Sequence, residues 1–468
     1  MLPVPQSYSI YPSVILADKA SEMIIAPNER AFIFDDGEVY DITVISVNSD
    51  ENCYHQPTTH KKFSAEARDG VLRFTYTFEG EQEHIIILSK DEKSLQEFNV
   101  YSLYEDLYSL TALRGDFHGH SCRSDGKRDP AAVAGHYREQ GYDFFTLTDH
   151  NRYYPGGEID EVYDGVNTGF VRVCGEEVHA PGSILHIVHA CGESSVADLY
   201  VHDREGYDKA IEEYMGKVPA NVPEKYKSRY AKVMWSVDKI HEAGGLAIFA
   251  HPFWRPKKSR MFHSCDEFAR MMLMSGMFDV FELVSAMEQD GVNLAVALWA
   301  DLRAQGLKIS VVGSSDMHEI KDYTFPHYFT VCFAKSNSRE DIRDAVKAGL
   351  SVAVEATGDE YARHYRAYGS FRLVTYAQFL LKYYFPKRQR ICQGEGVAMR
   401  AYSMGEASKE LVELQAKLSE DFTLRFFGRK EPKLPTAEMI DFEKKWRAVH
   451  ANGPATKGSI VFKDYEMK

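Results

Sequence analysis

The sequence predicts an α/β protein: a mostly parallel sheet or barrel, with a β-rich domain before it and a helical extension after it. The main observation is that apolar, strand-like runs alternate with amphipathic helical runs between about residues 113 and 355. Such alternation is typical of a parallel sheet covered by helices. In addition, the 468 residues are 44% hydrophobic, which is enough for two or three domains with cores of their own.

Residues 1–112 are predicted to form a sandwich-like β domain. The segments RAFIFDDGEVYDITVISVN (30–48) and GVLRFTYTFEGEQEHIIILSK (70–90) are rich in β-branched and aromatic residues. Asp-Gly and Glu-Gly pairs interrupt them and predict turns between strands. Helical signals are weak in this region. The sequence does not decide whether the domain binds a ligand, acts as a lid or has a purely structural role.

The elements of the central region, residues 113–355, have recognisable ends. The segment DPAAVAGHYREQG (129–141) predicts a helix because it has an aspartate N-cap, a proline in the first turn and a glycine at the end. A buried strand, YDFFTLTDHN (142–151), is predicted to follow it. Further predicted elements are the strands LAIFAHP (246–252) and LKISVVGSSDMH (307–318) and the amphipathic helix VNLAVALWADLRAQG (292–306).

Two further segments complete the predicted organisation. Residues 193–237 are predicted to be a largely helical insertion between barrel elements, which could act as a lid. Residues 356–468 are aromatic and helical in character, end in a polar stretch, and are predicted to be a helical extension. The predicted domains are therefore 1–112, 113–355 and 356–468.

Composition excludes several classes of protein. No apolar run approaches the roughly 20 residues of a membrane helix, and the N-terminus lacks the basic and apolar regions of a signal peptide. The seven cysteines include no CxxC pair, which favours a reducing cytoplasm. A net charge of −14 argues against a broad nucleic-acid surface. Small molecules or short oligonucleotides are the expected partners.

Residues that bind metals follow the predicted strands. In DFHGH, His118 and His120 are two positions apart and on a strand would point to the same side. SSDMH repeats this spacing with Asp316 and His318. One such pair is more often structural than metal-binding, but the carboxyl ends of barrel strands form the active-site face of β/α barrels. Several pairs at such ends together favour a metal centre.

A predicted strand in RVCGEEVHA supplies a carboxylate. Glu177 and His179 would share one face of it and Glu176 the other, so Glu177 is favoured as a carboxylate that bridges metals, with Glu176 left open. In SILHIVHA, His186 and His189 have opposite parity, so a regular strand would present only one of them inward. The pattern does not decide which.

Two other motifs add candidates. Asp149 and His150 are adjacent, which indicates one ligand and one carboxylate that orients it, and His251 ends an apolar strand. Ligation by His, Asp and Glu without cysteine suits zinc, manganese or iron. About nine potential ligands exceed what one ion can take, so two or three divalent ions are predicted.

Five ordered motifs resemble those of the polymerase-and-histidinol-phosphatase (PHP) superfamily: HGHSCRSDG, LTDHN, GEEV followed by HIV, AHP, and GSSDMH. They span about residues 113–335. The resemblance implies a distorted (β/α)7 barrel with a di- or trinuclear metal centre at the strand ends. Position by position, it implies nine ligands: His118, His120, Asp125, His150, Glu177, His186, His251, Asp316 and His318.

The expected activity is that of a phosphoesterase in which a hydroxide held between metals attacks phosphorus. His179 and His189 are histidines beyond the family pattern, and either could replace a named ligand or protonate the leaving group. Asp149 is assigned to catalysis with them. The cations that follow ligand motifs are expected to hold substrate phosphate; they are Arg152, Arg255 and Lys257.

Two alternatives stand beside this prediction. The same metals could attack a carbonyl carbon, as in an amidohydrolase or a carbamate or ester hydrolase, and HPFWRPKK offers both an aromatic wall (Phe253, Trp254) and cations. A non-catalytic, metal-binding regulatory protein is the alternative from another class. Such a protein is expected to lack some ligands, whereas here each expected position carries a suitable side chain.

Overall fold

The computed structural model describes residues 6–48, 60–322, 324–358 and 363–452. The chain forms two compact units. One comprises Ser109–Thr423, and the other comprises Leu2–Tyr108 together with Leu424–Lys468. Among the described residues, no helix is long and apolar enough to cross a membrane.

The unit that contains the N-terminal residues is built on one eight-stranded sheet. Its strands are β1 Tyr8–Tyr11, β2 Val14–Leu16, β3 Ala20–Pro27, β4 Val39–Ser46, β5 Lys61–Arg68, β6 Val71–Thr77, β7 Gln82–Lys90 and β8 Lys93–Leu103. Their spatial order is β1-β3-β6-β5-β4-β7-β8-β2. Alternate residues of β4 are buried, and they share one apolar cluster with side chains from β3, β6, β7 and β8. The sheet therefore curls around its own core.

Helical segments of this unit are short or C-terminal. They are a 3-10 turn at Arg30–Phe32, helix α1 at Glu105–Tyr108 and helix α13 at Ala437–Asn452. Arg447 on α13 donates hydrogen bonds to the carbonyl oxygens of Ala31 and Ile33, 3.0 and 2.8 Å away, which fixes the helix beside the 3-10 turn.

The unit Ser109–Thr423 is built on a ten-stranded sheet. Its strands are β9 Thr111–Asp116, β10 Phe144–Leu147, β11 Val171–Val178, β12 Ile187–Ala190, β13 Leu246–Phe249, β14 Val280–Val284, β15 Ser310–Gly313, β16 Tyr328–Ala334, β17 Ser351–Thr357 and β18 His364–Tyr368. The order is β15-β14-β13-β12-β11-β10-β9-β16-β17-β18. All residues of β10, β12, β13 and β14 are buried, which explains why their sequences are continuous apolar runs rather than alternating ones.

Strand direction departs from a uniform β/α repeat at β12 and again at β16, β17 and β18, each of which is antiparallel to its neighbours. β9, β10 and β11 are parallel, as are β13, β14 and β15, but β12 is antiparallel to both of its neighbours. The connection from Val178 to Ile187 is too short for the crossover that parallel strands need, so the chain turns back as a hairpin. The protein is mixed α/β, and the sevenfold repeat that the resemblance implies is not confirmed.

The large sheet curls toward closure. Ser351 on β17 donates a hydrogen bond to the carbonyl of Val311 on β15, 2.8 Å away, although the two strands are not neighbours in the sheet order. The hydroxyl of Thr330 on β16 also bonds both the amide and the carbonyl of Gly313. These contacts bring the ends of several strands around one small region.

Helices of the described residues pack mainly around this sheet. Their bounds are α2 Pro130–Glu139, α3 Pro155–Val162, α4 Ala197–Val201, α5 Arg204–Met215, α6 Glu224–Glu242, α7 Asp266–Met274, α8 Gln289–Ala304, α9 Arg339–Lys347, α10 Phe371–Tyr383, α11 Phe385–Ser403 and α12 Lys409–Phe426. The predicted N-cap of α2 is confirmed, because the Asp129 carboxylate accepts hydrogen bonds from the amides of Ala131 and Ala132.

Predictions for the two remaining segments hold in part. The insertion 193–237 is helical as predicted, since it contains α4, α5 and most of α6. The segment His364–Tyr368, predicted to be helical, is instead β18, an edge strand paired with β17. Its aromatic residues are compatible with either state, and tertiary pairing decides between them.

Candidate metal centre

The predicted ligands lie where strands of the large sheet end. β9, β10, β11, β13 and β15 run in one direction, so their carboxyl ends meet at one edge. β12 runs the other way and begins at that edge, where Ile187 pairs with Val178 and with Phe249. His186, which precedes Ile187, therefore joins the side chains that follow the other strands.

Within the described residues, these side chains form four groups, three of which share members, and the ligand atoms of each group lie within 4.8 Å of one another. The groups are His118, His120, Glu177 and Asp316; His120, Asp125, His150 and His318; His150, Glu177 and His179; and His186, His251 and His263. All nine residues that the resemblance implies are brought together, and His179 and His263 join them. Their role as ligands remains a prediction.

One oxygen of the buried Glu177 carboxylate faces three imidazoles. Its Oε2 lies 2.8 Å from Nδ1 of His150. The same oxygen lies 3.4 Å from Nε2 of His118 and 3.5 Å from Nε2 of His120. The Asp316 carboxylate lies on the same side, with its Oδ1 2.9 Å from His120 Nε2 and 3.3 Å from His118 Nε2. Two carboxylates and three imidazoles thus enclose one small space.

The other oxygen of Glu177 faces three different imidazoles. Its Oε1 lies 2.7 Å from His186 Nδ1 and 3.4 Å from Nε2 of both His179 and His251. Each oxygen of the carboxylate therefore faces its own set of imidazole nitrogens.

Several of these polar atoms are buried without a hydrogen-bond partner in the described part of the chain. They are Nε2 of His118 and Nδ1 of His120, His251 and His263. An unpaired buried polar atom is costly, and folded proteins rarely keep several together. Acceptor lone pairs that converge from imidazole and carboxylate suit divalent metal ions. The residues present therefore fit the metals that the sequence implies.

Asp125 marks the open side of the centre. Its side chain is 56% exposed, and its Oδ1 lies 3.3 Å from Nε2 of His150 and 3.3 Å from Nε2 of His318. The loop that carries it is fixed by Asp149, which accepts hydrogen bonds from the hydroxyls of Ser121 and Ser124 at 2.6 and 2.5 Å. Asp149, predicted to be catalytic, lies in none of the four groups and contacts this loop.

Electrostatics of the centre are dominated by close carboxylates and imidazoles. Burial lowers the pKa of His150, but the carboxylates of Asp125 and Glu177 outweigh it and raise that pKa to about 10. Against the same effect of burial, Asp125 and Asp316 raise the pKa of His318 to about 9. Burial raises the pKa of Glu177, yet the surrounding histidines hold it well below its usual range. Without added cations, the site therefore retains protons on its imidazoles.

Other imidazoles are kept neutral. Burial lowers the pKa of His186 to about 4, despite the opposing effect of Glu177. Burial, together with the nearby His186 and His251, lowers the pKa of His263 to about 2. Neutral imidazole is the form that binds a metal.

Two potential ligands sit on left-handed backbone. His251 has φ of +22° and Asp316 has φ of +49°. Such conformations cost of order 1–3 kcal/mol in residues other than glycine and cluster at functional sites. Both residues lie in the first few positions after a strand, where the left-handed backbone changes the direction of the chain.

The two additional histidines of the sequence lie in different places. His179 is partly exposed, its Nε2 lies 3.2 Å from His150 Nδ1, and its ring stacks on His186 with centroids 3.7 Å apart. His189 is buried outside the four groups, with its Nδ1 3.2 Å from Glu176 Oε1. Glu176 also accepts a hydrogen bond from the Ser195 hydroxyl, so it belongs with the insertion rather than with the metal groups.

The predicted phosphate-binding cations are unequally placed. Arg152 is exposed and donates a hydrogen bond to the hydroxyl of Tyr154, 3.1 Å away. Arg255 is already paired, with its Nη2 2.5 Å from Asp290 Oδ2. Lys257 is exposed on the loop that follows His251.

Sequence reasoning missed two residues of the centre. Glu282 on β14 is buried with its Oε2 3.1 Å from His118 Nδ1, and it was detectable as the one charged residue of the apolar run VFELV. His263 lies in the loop between β13 and α7. No regular spacing in the sequence relates it to the other ligands, because only the folded loop brings it back to His251.

Comparisons with known proteins find similarity only among solved structures: no protein-family model and no curated protein matches the chain. A two-domain protein from Bacteroides vulgatus, which contains a predicted PHP-like metal-dependent phosphoesterase, is 19% identical with a TM-score of 0.35 and covers 52% of this chain. This chain spans 65% of that protein, less than two thirds of its length.

Two further structures are similar over shorter stretches. A candidate metal-dependent phosphoesterase from Bifidobacterium adolescentis is 17% identical with a TM-score of 0.32, covering 44% of this chain and 87% of its own. An amidohydrolase from Chromobacterium violaceum, with bound sulfate and no metal, is 17% identical with a TM-score of 0.29. The match covers 44% of this chain and 88% of that protein. One of the three structures is described as PHP-like, the family that the sequence motifs resemble. These overlaps are too partial to assign an activity.

Proposed function

We propose that this chain is a metal-dependent hydrolase with a di- or trinuclear centre, and that phosphate esters are its substrates. The observation that supports this most is the position of Glu177, whose two oxygens each face three imidazoles of a different set. A carboxylate that only stabilises the fold is usually satisfied by a few hydrogen bonds. A carboxylate that bridges two ions is expected to have the other ligands of both ions around it, as Glu177 does.

Different groups of residues around Glu177 would bind different ions. His118, His120 and Asp316 would hold one ion on the Oε2 side, and His186 and His251 a second on the Oε1 side. Asp125, His150 and His318 would hold a third at the open side of the centre. Zinc, manganese or iron bound there would supply Lewis acidity and lower the pKa of a coordinated water.

Residues at the open side of the centre would bind the substrate. Arg152 is exposed two positions after His150, and no acidic partner is found for it among the described residues. It can therefore offer its guanidinium fork to a phosphate group. Lys257 would add a second positive charge. Arg255 would first have to leave Asp290, so it is the weaker candidate of the three.

His179 is the better placed proton donor of the two additional histidines. It is partly exposed beside His150, whereas His189 is buried against Glu176. A donor at that position could protonate the leaving oxygen of an ester as the bond to phosphorus breaks.

An amide or carbamate hydrolase on the same centre is the second candidate, and Trp254 favours it. The Trp254 ring lies 5.8 Å from that of His251 and 6.0 Å from that of His186, so an apolar wall borders the proposed ions. A wall of this kind suits an acyl or aromatic group better than a charged phosphate. We also propose a cytoplasmic location, from the cysteine pattern of the sequence.

The test is a hydrolysis screen of metal-replete protein against phosphomonoesters, phosphodiesters, amides and carbamates. We expect turnover of a phosphoester that is lost on chelation and restored by Mn²⁺ or Zn²⁺. Arg152→Ala is expected to reduce it, while the exposed control Lys258→Ala is not. Turnover of amides alone would favour the second candidate. No turnover of any substrate by metal-replete protein would contradict both.

A further inference from the structure

The loop between β13 and α7 returns to its own beginning and carries a histidine with it. The amide of His263 donates to the carbonyl of Trp254, and the amide of Ser264 donates to the carbonyl of Pro252, both at 2.8 Å. The amide of Trp254 in turn donates to the carbonyl of His251 at 3.1 Å. These backbone bonds hold His263 next to the strand end that carries His251, twelve positions earlier in the chain.

Three imidazoles meet where this loop closes. The ring centroids of His263 and His186 are 4.1 Å apart, those of His263 and His251 are 5.5 Å apart, and those of His186 and His251 are 5.1 Å apart. One nitrogen of each ring lies within 4.8 Å of the others. Three nitrogens at that spacing can share one ion.

The unpaired nitrogen of His263 argues against a role in packing alone. Nδ1 of His263 is buried and has no hydrogen-bond partner in the described part of the chain, while Nδ1 of His186 and Nε2 of His251 lie 2.7 and 3.4 Å from Glu177 Oε1. A histidine buried only to fill space would ordinarily have its nitrogens paired with protein groups. Here the backbone of Ile184 bonds to the His263 ring, which leaves the second nitrogen free as an acceptor.

We propose that His263 is a metal ligand which, with His186 and His251, completes a three-histidine subsite on the Oε1 side of Glu177. The proposal rests on the proposed metal centre. Glu177 Oε1, 2.7 Å from His186 Nδ1 and 3.4 Å from His251 Nε2, supplies the fourth donor. Three imidazoles and one carboxylate oxygen form a set that suits zinc. The group formed by His120, Asp125, His150 and His318 differs from it, because its carboxylate, Asp125, is 56% exposed.

The test compares metal binding by two variants of the full chain and a control. His263→Phe keeps an aromatic ring against His186 and His251 but has no nitrogen, and His263→Ala removes the ring as well. His202→Ala is the control, because His202 is an exposed histidine in none of the groups. Each protein is dialysed against buffered Zn²⁺ and analysed for bound metal, and Co²⁺ is then titrated while the visible spectrum is recorded.

We expect both His263 variants to lose about one equivalent of Zn²⁺, or to bind it at least about tenfold more weakly. The Co²⁺ spectrum should change in intensity and position, while the control matches the wild type. A His263→Phe protein with wild-type stoichiometry, affinity and Co²⁺ spectrum would overturn the proposal. Wild-type protein that binds no metal would instead contradict the proposed centre itself, so the two failures are distinguishable. Circular dichroism identifies any variant that does not fold, and the other variant then decides.

Discussion

The Nδ1 atom of His118 lies 3.1 Å from Oε2 of Glu282, on the side of the ring opposite to the metal groups. The Nε2 atom of the same ring faces Glu177 at 3.4 Å and Asp316 at 3.3 Å. Glu282 is itself held by the hydroxyl of Ser285. A carboxylate behind a ligating histidine fixes the tautomer and orientation of the ring, so in the proposed centre Glu282 on β14 would orient a ligand without being one itself.

Replacing Glu282 should therefore weaken metal binding while leaving the ligands in place. For Glu282→Gln we expect the affinity for Zn²⁺ to fall about 10- to 100-fold, because the ring of His118 loses its charged partner. Competition with a chromogenic chelator measures this. Glu288→Gln, an exposed carboxylate nearby in the chain, is the control. Unchanged affinity in Glu282→Gln would mean that Glu282 does not orient His118.

Metal binding should release protons at neutral pH. The pKa of His150 is raised to about 10 and that of His318 to about 9, so both rings are protonated at pH 7 before an ion binds. Ligation requires the neutral ring, so each bound ion must displace protons and its affinity must rise with pH. Calorimetric titration with Zn²⁺ in buffers of different ionisation enthalpy should give a release of about one proton or more per chain. A result near zero would contradict the role of these two histidines as ligands.

The same pKa shifts predict how the metal-free protein responds to pH. Since both folded-state pKa values lie above the unfolded value of about 6.5, these groups stabilise the fold fully below about pH 6.5. That contribution is lost as pH rises through about 9 to 10. Chemical denaturation of chelated protein should show a falling free energy of unfolding across this interval, and His150→Gln should reduce the fall. An equal fall in His150→Gln would assign the effect to other groups.

A buried ion pair between α2 and α11 should dominate the stability of the larger unit. Arg138 is fully buried, with its Nε 2.7 Å from Glu395 Oε2, and it also donates to the Ser419 hydroxyl at 2.7 Å. Glu395→Gln leaves this guanidinium with only Asp143, 3.7 Å from its Nη1, as a charged neighbour, and loss of a buried charged partner typically costs about 3–5 kcal/mol. Urea denaturation should show the loss, and Glu406→Gln, an exposed carboxylate, should stay within about 0.5 kcal/mol of wild type. A small effect in Glu395→Gln would indicate that water reaches Arg138.

Much of the centre could be predicted because it depends on local periodicity. His118 and His120 are two residues apart, and so are Asp316 and His318, so strand periodicity predicted that each pair would share a side. In the structure both pairs lie just beyond β9 and β15, where Gly119 and Met317 form an isolated bridge between them. The face of Glu177 followed from the same rule.

The parts that could not be predicted depend on the tertiary structure. The direction of β12 decides that His186 faces Glu177 while His189 faces Glu176, and parity alone cannot supply a strand direction. His263 becomes a neighbour of His251 only through backbone bonds within an irregular loop. The segment His364–Tyr368 is a strand because β17 offers it an edge, which no local pattern reveals.

The most direct test of the metal centre compares two adjacent glutamates of one strand. Glu177 faces the imidazoles, and Glu176 faces His189 on the other side of β11. Purified wild-type protein, dialysed against Zn²⁺ or Mn²⁺ and analysed for bound metal, should carry about two or three equivalents per chain. Glu176→Gln should retain them, and Glu177→Gln should lose at least about half. Wild-type protein with less than about one equivalent, or Glu177→Gln with the wild-type content, would contradict a centre bridged by Glu177.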